Sequence, residues 1–188
     1  MKKVIIGCCI FCFIAVQASA QIPTFTKSDN ILGVSIGFGG NLYTGYAFYK
    51  GYSRTPAISV YFENCVVDNL FDEKSSIGVG GMLGYTSAKY TGTYGWGWKS
   101  TNTIIGARGA FHYAFVDKLD TYAGVVAGFK INTWKWNGSG YTDSDIGGSG
   151  LTSYLFVGAR YYFNNSFAAF GELGYGISLL NLGVSLKF

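Results

Sequence analysis

From Leu180 onward the stretch Ile177–Phe188 places a large apolar residue at every second position: Leu180, Leu182, Val184, Leu186 and Phe188. Asn181, Gly183, Ser185 and Lys187 stand between them. A period of two puts the two sets on opposite faces of a β-strand. In a soluble sheet the apolar face would cover a core and the polar face would meet water. Here the polar face is small and glycine-bearing, and similar strands recur back to residue 31. That combination predicts the reverse arrangement, with apolar side chains toward lipid and polar ones toward a closed lumen.

Eight such segments can be followed. The first, about Ile31–Gly39, sets Leu32, Val34, Ile36 and Phe38 outward. The second, about Pro56–Val66, sets Ile58, Val60 and Phe62 against Ser59, Tyr61, Glu63 and Cys65. The third starts near Ser76 and its pattern continues to about Tyr90. The fourth spans about Thr101–Phe115, the fifth Thr121–Trp134, the sixth Leu151–Phe163, the seventh Phe167–Tyr175, and the eighth ends at Phe188. Connections at Gly40–Thr55, Thr91–Lys99 and Lys135–Gly150 read as loops. Those at Asp68–Ser75, Val116–Asp120 and Asn164–Ser166 read as turns, and the last reversal is very short. Lipid cannot satisfy an open backbone edge, so a sheet in a bilayer must close on itself. The expected fold is an all-β, eight-stranded, antiparallel up-and-down barrel, with loops outside the cell and turns toward the periplasm. Eight strands enclose only enough room for side chains, so the interior is expected to be packed. Glycine numbers 28 of 188 residues, well above the average usage of about 7%, which adds to the signs of a barrel. The same alternation in a secreted β-sandwich or a soluble barrel is the competing reading.

The first twenty residues stand apart. Lys2 and Lys3 precede the apolar run Val4–Val16, which is too short for a spanning helix, and Ala18-Ser19-Ala20 precedes Gln21. This is the pattern of an export signal cleaved between Ala20 and Gln21. Residues 1–20 are therefore read as a signal peptide and 21–188 as one barrel domain. A lipoprotein reading of Ile6-Gly7-Cys8 is the lesser alternative, because few apolar residues precede Cys8. With the leader go Cys8, Cys9 and Cys12, leaving Cys65 with no internal disulfide partner. The formal charge of +4 includes Lys2 and Lys3, and no basic block remains to bind nucleic acid.

The strand rhythm, the paired phrases Gly106-Ala107-Arg108 and Gly158-Ala159-Arg160, and Phe188 on an alternating strand together resemble the small eight-stranded outer-membrane barrels of the OmpA/OmpX kind. They are also similar to the broader outer-membrane β-barrel domain family of Gram-negative bacteria. The resemblance covers about Ile31–Phe188. It implies an outer-membrane location, lipid as surroundings, and Phe188 as a signal for the barrel-insertion machinery. It says little about activity, since one barrel hosts adhesins, channels, enzymes and anchors.

Two constellations are candidates for function. The lumen-facing register collects Glu63, Arg108, His112, Lys130, Arg160 and Glu172. Charges in a narrow rod should be paired, because an isolated buried ion is very costly. The expectation is that Glu63 and Glu172 each meet Arg108, Arg160 or Lys130, as a structural network or, alternatively, as a narrow ion path. The second constellation is aromatic: Tyr43, Tyr46, Tyr49, Tyr52, Trp96, Trp98, Trp134 and Trp136 lie in or beside the outer loops. Such rings supply large contact area at low entropic cost and suit a surface-binding role. A lipid-modifying enzyme would have to use His112, the single histidine, yet no serine motif accompanies it. No catalytic residue, cofactor or metal site is assigned, and the chain is expected to be a monomer.

Overall fold

Alternation becomes pairing across ten strands. The structure, a computed structural model, describes residues 25–39, 51–92, 96–137, 144–145 and 148–188. The leader, the Ala20–Gln21 bond, and Tyr43, Tyr46 and Tyr49 lie outside the described residues. The strands are β1 (Asn30–Phe38), β2 (Tyr52–Arg54), β3 (Ala57–Asp68), β4 (Ser75–Thr91), β5 (Gly97–Val116), β6 (Leu119–Asn137), β7 (Ser144–Asp145), β8 (Gly150–Tyr162), β9 (Phe167–Gly174) and β10 (Leu180–Lys187). Eight of them close a ring in the order β1-β3-β4-β5-β6-β8-β9-β10, and β10 pairs back onto β1 from Ile31↔Lys187 to Phe38↔Leu180. Every pairing is antiparallel. A closed ring leaves no open edge, which a sandwich would have, and the sandwich reading is discarded.

The two faces divide as the alternation predicts. On β1, Ile31, Gly33, Ser35 and Gly37 are buried while Leu32, Val34, Ile36 and Phe38 are exposed. Around the ring the exposed residues are large and apolar; Leu155 is 72% exposed and Val184 62%. A continuous apolar belt of this size is far beyond the few hundred Å² that a soluble monomer presents.

Inward glycines make room for inward rings. Tyr61 is paired with Gly33, Tyr122 with Gly158, Phe156 with Gly124, and Phe170 with Gly183. A Cβ built on any of these glycines would collide with the partner ring. Each large ring therefore lies across a neighbouring strand that has no side chain, and the narrow rod fills without clash. Met82, Val126, Phe156 and Phe170 belong to the cluster so formed. Above it Ile177, from the short β9–β10 connection, turns inward against Ala57 and Ile104.

Some boundaries correct the sequence reading. The turn expected at Val116–Asp120 shrinks to Asp117–Lys118, with Val116 paired to Leu119 and Lys118 at φ 64°. Asp120 is therefore a strand residue. The loop expected at Thr91–Lys99 ends at Gly97, which places Trp98 on β5. The loop expected from Lys135 yields to β6, which runs to Asn137 and carries Trp134 and Trp136. The segments expected to be loops at Gly40–Thr55 and Lys135–Gly150 contain β2 and β7, which pair with β4 and β6. In each case a cross-strand ladder extends a strand through residues whose local composition suggests a loop.

These extensions have one shape. β4, β5 and β6 contain 17, 20 and 19 residues, against 8 in β9 and β10. β3 meets β4 no higher than Ile58↔Tyr85. Beyond that row β4, β5 and β6 continue past the barrel wall, flanked by β2 and β7.

Candidate functional sites in the lumen and on the projecting sheet

The lumen near the turn end holds six charged side chains contributed by five strands. Alternation aims Glu63 of β3, Arg108 and His112 of β5, Asp120 of β6, Arg160 of β8 and Glu172 of β9 inward, and all are buried. Arg108 grips Glu172 with both terminal nitrogens, the two-pronged geometry that suits guanidinium and carboxylate. Its Nε lies 3.6 Å from Glu63 Oε2. Arg160 donates to Asp120 at 2.8 Å and to the Tyr61 hydroxyl at 3.0 Å. Its Nη2 lies 3.8 Å from the same Glu63 Oε2. Tyr122 donates its hydroxyl proton to Glu172 at 3.0 Å.

His112 joins the two halves. Its Nδ1 lies 3.0 Å from both Asp120 oxygens and its Nε2 lies 2.9 Å from Glu63 Oε1. Both ring nitrogens can donate only in the imidazolium form. With His112 charged, three cations face three carboxylates and the cluster is neutral. Aromatic faces complete the cage: the Arg108 guanidinium lies 3.8 Å from the Phe156 ring centroid and 4.4 Å from that of Tyr61. Arg160 lies 4.9 Å from the Tyr122 centroid.

Five of the six residues expected in the network are thus brought together. Lys130 shares the inward face but forms no ion pair among the described residues, because it stands higher on β6, opposite Gly150. Asp120 is the member that the sequence reading missed. Counting back by twos from Tyr122 along the inward face would have reached it. Phe25 was missed as well. It belongs to the segment before β1, is buried, and packs on His112 with centroids 4.6 Å apart. No periodicity precedes β1 to signal it. Asp29 fixes that segment by accepting hydrogen bonds from Thr26 and Lys187. Cys65 is buried and its thiol donates to the Val67 carbonyl at 3.5 Å. Among the described residues, no cluster of His, Cys, Asp and Glu is placed to hold a metal ion.

The second constellation occupies the face of the projecting sheet that continues the lumen. Tyr52, Tyr90, Trp98 and Trp136 form one cross-strand row over β2, β4, β5 and β6. Trp134 lies one alternate position below Trp136 and packs on Trp98 with centroids 4.9 Å apart. Trp96 meets the edge of Tyr90 at 5.5 Å. Trp98 and Ala88 are buried at the centre, while Trp96 and Trp136 are 50% and 47% exposed. The five described members of the expected aromatic set therefore share one platform, and Tyr90 joins them. Below it lie Ser100, Asn102 and Asn132, with Asn132 Nδ2 donating to Asn102 Oδ1 at 2.8 Å.

No protein-family model and no curated protein sequence matches the chain. Solved structures do resemble it. Ail, the attachment invasion locus protein of Yersinia pestis, crystallised with the heparin analogue sucrose octasulfate, aligns over 87% of this chain and 100% of its own. The TM-score is 0.54 and the identity 10%. A second crystal structure of Ail aligns over the same shares at a TM-score of 0.53. The N-terminal barrel domain of Pseudomonas aeruginosa OprF aligns at 0.42 with 14% identity, over 86% of this chain and 98% of its own.

Proposed function

On the footing that this chain has the fold of the eight-stranded outer-membrane β-barrels, we propose that it resides in the outer membrane and binds a surface ligand through its projecting sheet. The observation that carries this reading is the aromatic platform. Half-exposed Trp96 and Trp136 stand above the barrel wall, Trp136 on β6 and Trp96 just before β5, and packing of Trp96 against Tyr90 and of Trp136 against Trp134 holds their rings in place. A pre-ordered aromatic surface loses little entropy on binding. Both termini of the barrel and the short turns lie at the opposite end, so the usual orientation of such barrels puts the platform outside the cell. The leader would be removed after Ala20, and Phe188 would be read during insertion of a monomeric barrel.

Ail in complex with a heparin analogue supplies a first probe class. The test is adhesion of cells displaying the full chain to surfaces coated with heparin, with a neutral dextran or with a protein matrix. Adhesion that falls at least tenfold in a Trp96→Ala, Trp136→Ala double variant supports the platform. Adhesion to none of the three, or equal adhesion by the variant, removes it.

Passage of ions or small solutes is disfavoured by the lumen itself. The paired charges, the rings around them and Ile177 above them are buried within it. A steady conductance in planar bilayers, altered by Glu172→Gln, would reassign the function to transport. A hydrolase is disfavoured because both nitrogens of His112 already face carboxylates. Lipid deacylation lost on His112→Ala in a folded barrel would reverse that conclusion.

A further inference from the structure

The projecting sheet has a second face, which continues the lipid-facing side of the barrel. Its side chains change character row by row. Leu83, Ile105 and Phe129 form one cross-strand row, and Tyr85, Thr103 and Ile131 the next. Ser87, Thr101 and Thr133 follow, and above them stand Lys89, Lys99 and Lys135. Apolar, mixed, hydroxyl and cationic rows thus succeed one another up the same three strands.

The lysine row is unfavourable by itself. Like charges directly opposite on neighbouring strands repel, and here three stand side by side, all exposed. None of the described residues in this row or in the two rows beneath it is acidic. Ser53 of β2 flanks Lys89. A cleft of about 360 Å³ opens beside them, lined by Ser53, Thr55, Tyr85, Ser87, Lys89 and Lys99.

Height identifies the occupant. The lysines lie two rows above Tyr85–Thr103–Ile131, about 14 Å along the strands. At a tilt of roughly 35–45° that is about 10 Å along the membrane normal. The face points sideways over lipid, and a four-carbon lysine stem can bend toward the headgroup level below it. The anions of the membrane surface lie within that reach, and phosphate is the group for which lysine acts as a point-charge partner. We infer that the Lys89–Lys99–Lys135 row and its hydroxyl cleft bind the phosphate groups of a glycolipid headgroup in the outer leaflet. This site rests on the membrane placement and is independent of the aromatic platform on the opposite face.

The test uses the full chain in detergent micelles, with three probes: lipopolysaccharide, the same lipopolysaccharide stripped of phosphate, and heparin. Affinity and the temperature at which the compact gel form is lost are both read. Intact lipopolysaccharide is expected to bind and to raise that temperature, with affinity falling as salt screens the contact. A Lys89→Gln, Lys99→Gln, Lys135→Gln variant should bind at least tenfold more weakly, and so should the stripped lipid to the native chain. The variant removes only repulsion, and its compact form when unheated verifies folding; Lys99→Gln alone serves as a second, milder variant. The Trp96→Ala, Trp136→Ala variant should bind the lipid normally even if it loses surface adhesion. Equal binding by the lysine variant, equal binding of the stripped lipid, or lysine-dependent binding of heparin alone would overturn the inference.

Discussion

The two ends of the interior-to-surface axis treat charge in opposite ways. In the lumen every charged group of the cluster meets an opposite charge, and with His112 protonated three carboxylates balance two guanidiniums and an imidazolium. On the outer face of the projecting sheet, three lysines stand in one row with no acidic residue in the described rows around them. The difference follows from solvent. A charge removed from water must be compensated at once by its neighbours. A charge in water can be left for a partner that arrives later, at the cost of weak, screened repulsion. The lumen is therefore read as self-contained structure and the sheet as a surface awaiting contact.

Removing one partner inside the lumen should have the largest effect. Asp120→Ala removes the carboxylate 2.8 Å from Arg160 and 3.0 Å from His112 and leaves Glu63 as the one that they still share. Breaking such a buried pair costs about 3–5 kcal/mol. Urea unfolding followed on unheated gels should show this loss, and a change below about 1 kcal/mol would mean that water already screens the network. Next come the glycines beneath the rings. Gly158→Ala pushes a methyl into the Tyr122 ring and should cost about 1–3 kcal/mol by overpacking, whereas Gly150→Ala meets open space and should be near neutral. Equal effects of the two would show that the lumen is loosely packed.

The outer lysines should respond with the opposite sign. Lys99→Gln relieves repulsion from both neighbours and should stabilise the ligand-free barrel by about 0.2–1 kcal/mol, an effect that high salt abolishes. A destabilised variant would indicate that Lys99 has a partner. The smallest expected change lies in the turn between β3 and β4. There the Tyr113 hydroxyl donates to Asp72 at 2.9 Å and, with the Lys74 amide, holds that carboxyl below the ordinary aspartate range. A depressed carboxyl contributes its bond above the unfolded-chain pKa and loses it as pH falls through the lowered value. The Asp72 carbon resonance should titrate lower in the native barrel than in Tyr113→Phe; identical midpoints would show that the bond does not form in solution.

Much of this contrast can be read from the chain because a period of two assigns every side chain in a strand to a face. Glu63, Arg108, His112, Arg160 and Glu172 follow from that rule alone. Asp120 obeys the rule too, two residues before Tyr122, but Asp117-Lys118-Leu119-Asp120 has turn composition, and the pairing of Val116 with Leu119 shows how tight the hairpin is. Trp98 and Trp136 look like loop residues for a related reason. The ladder that keeps them in strands is cross-strand and non-local. The lysine row is the extreme case: Lys89, Lys99 and Lys135 are unremarkable in sequence, and register alone makes them neighbours. Phe25 has no pattern at all, since its place depends on a lumen built by residues far along the chain.

The seam between β1 and β10 has a kinetic meaning. Most ring pairings join strands adjacent or nearly adjacent in sequence and can form as local hairpins. The seam joins Asn30–Phe38 to Leu180–Lys187 across nearly the entire described chain. Its loop-closure entropy is the largest in the molecule, and such long-range contacts form slowly. Until this seam closes, two strand edges are open and the charges of the lumen have no complete cage. Closure of the ring is thus the committed step of assembly. A weakened seam should leave a population of open, aggregation-prone sheets alongside the closed barrels.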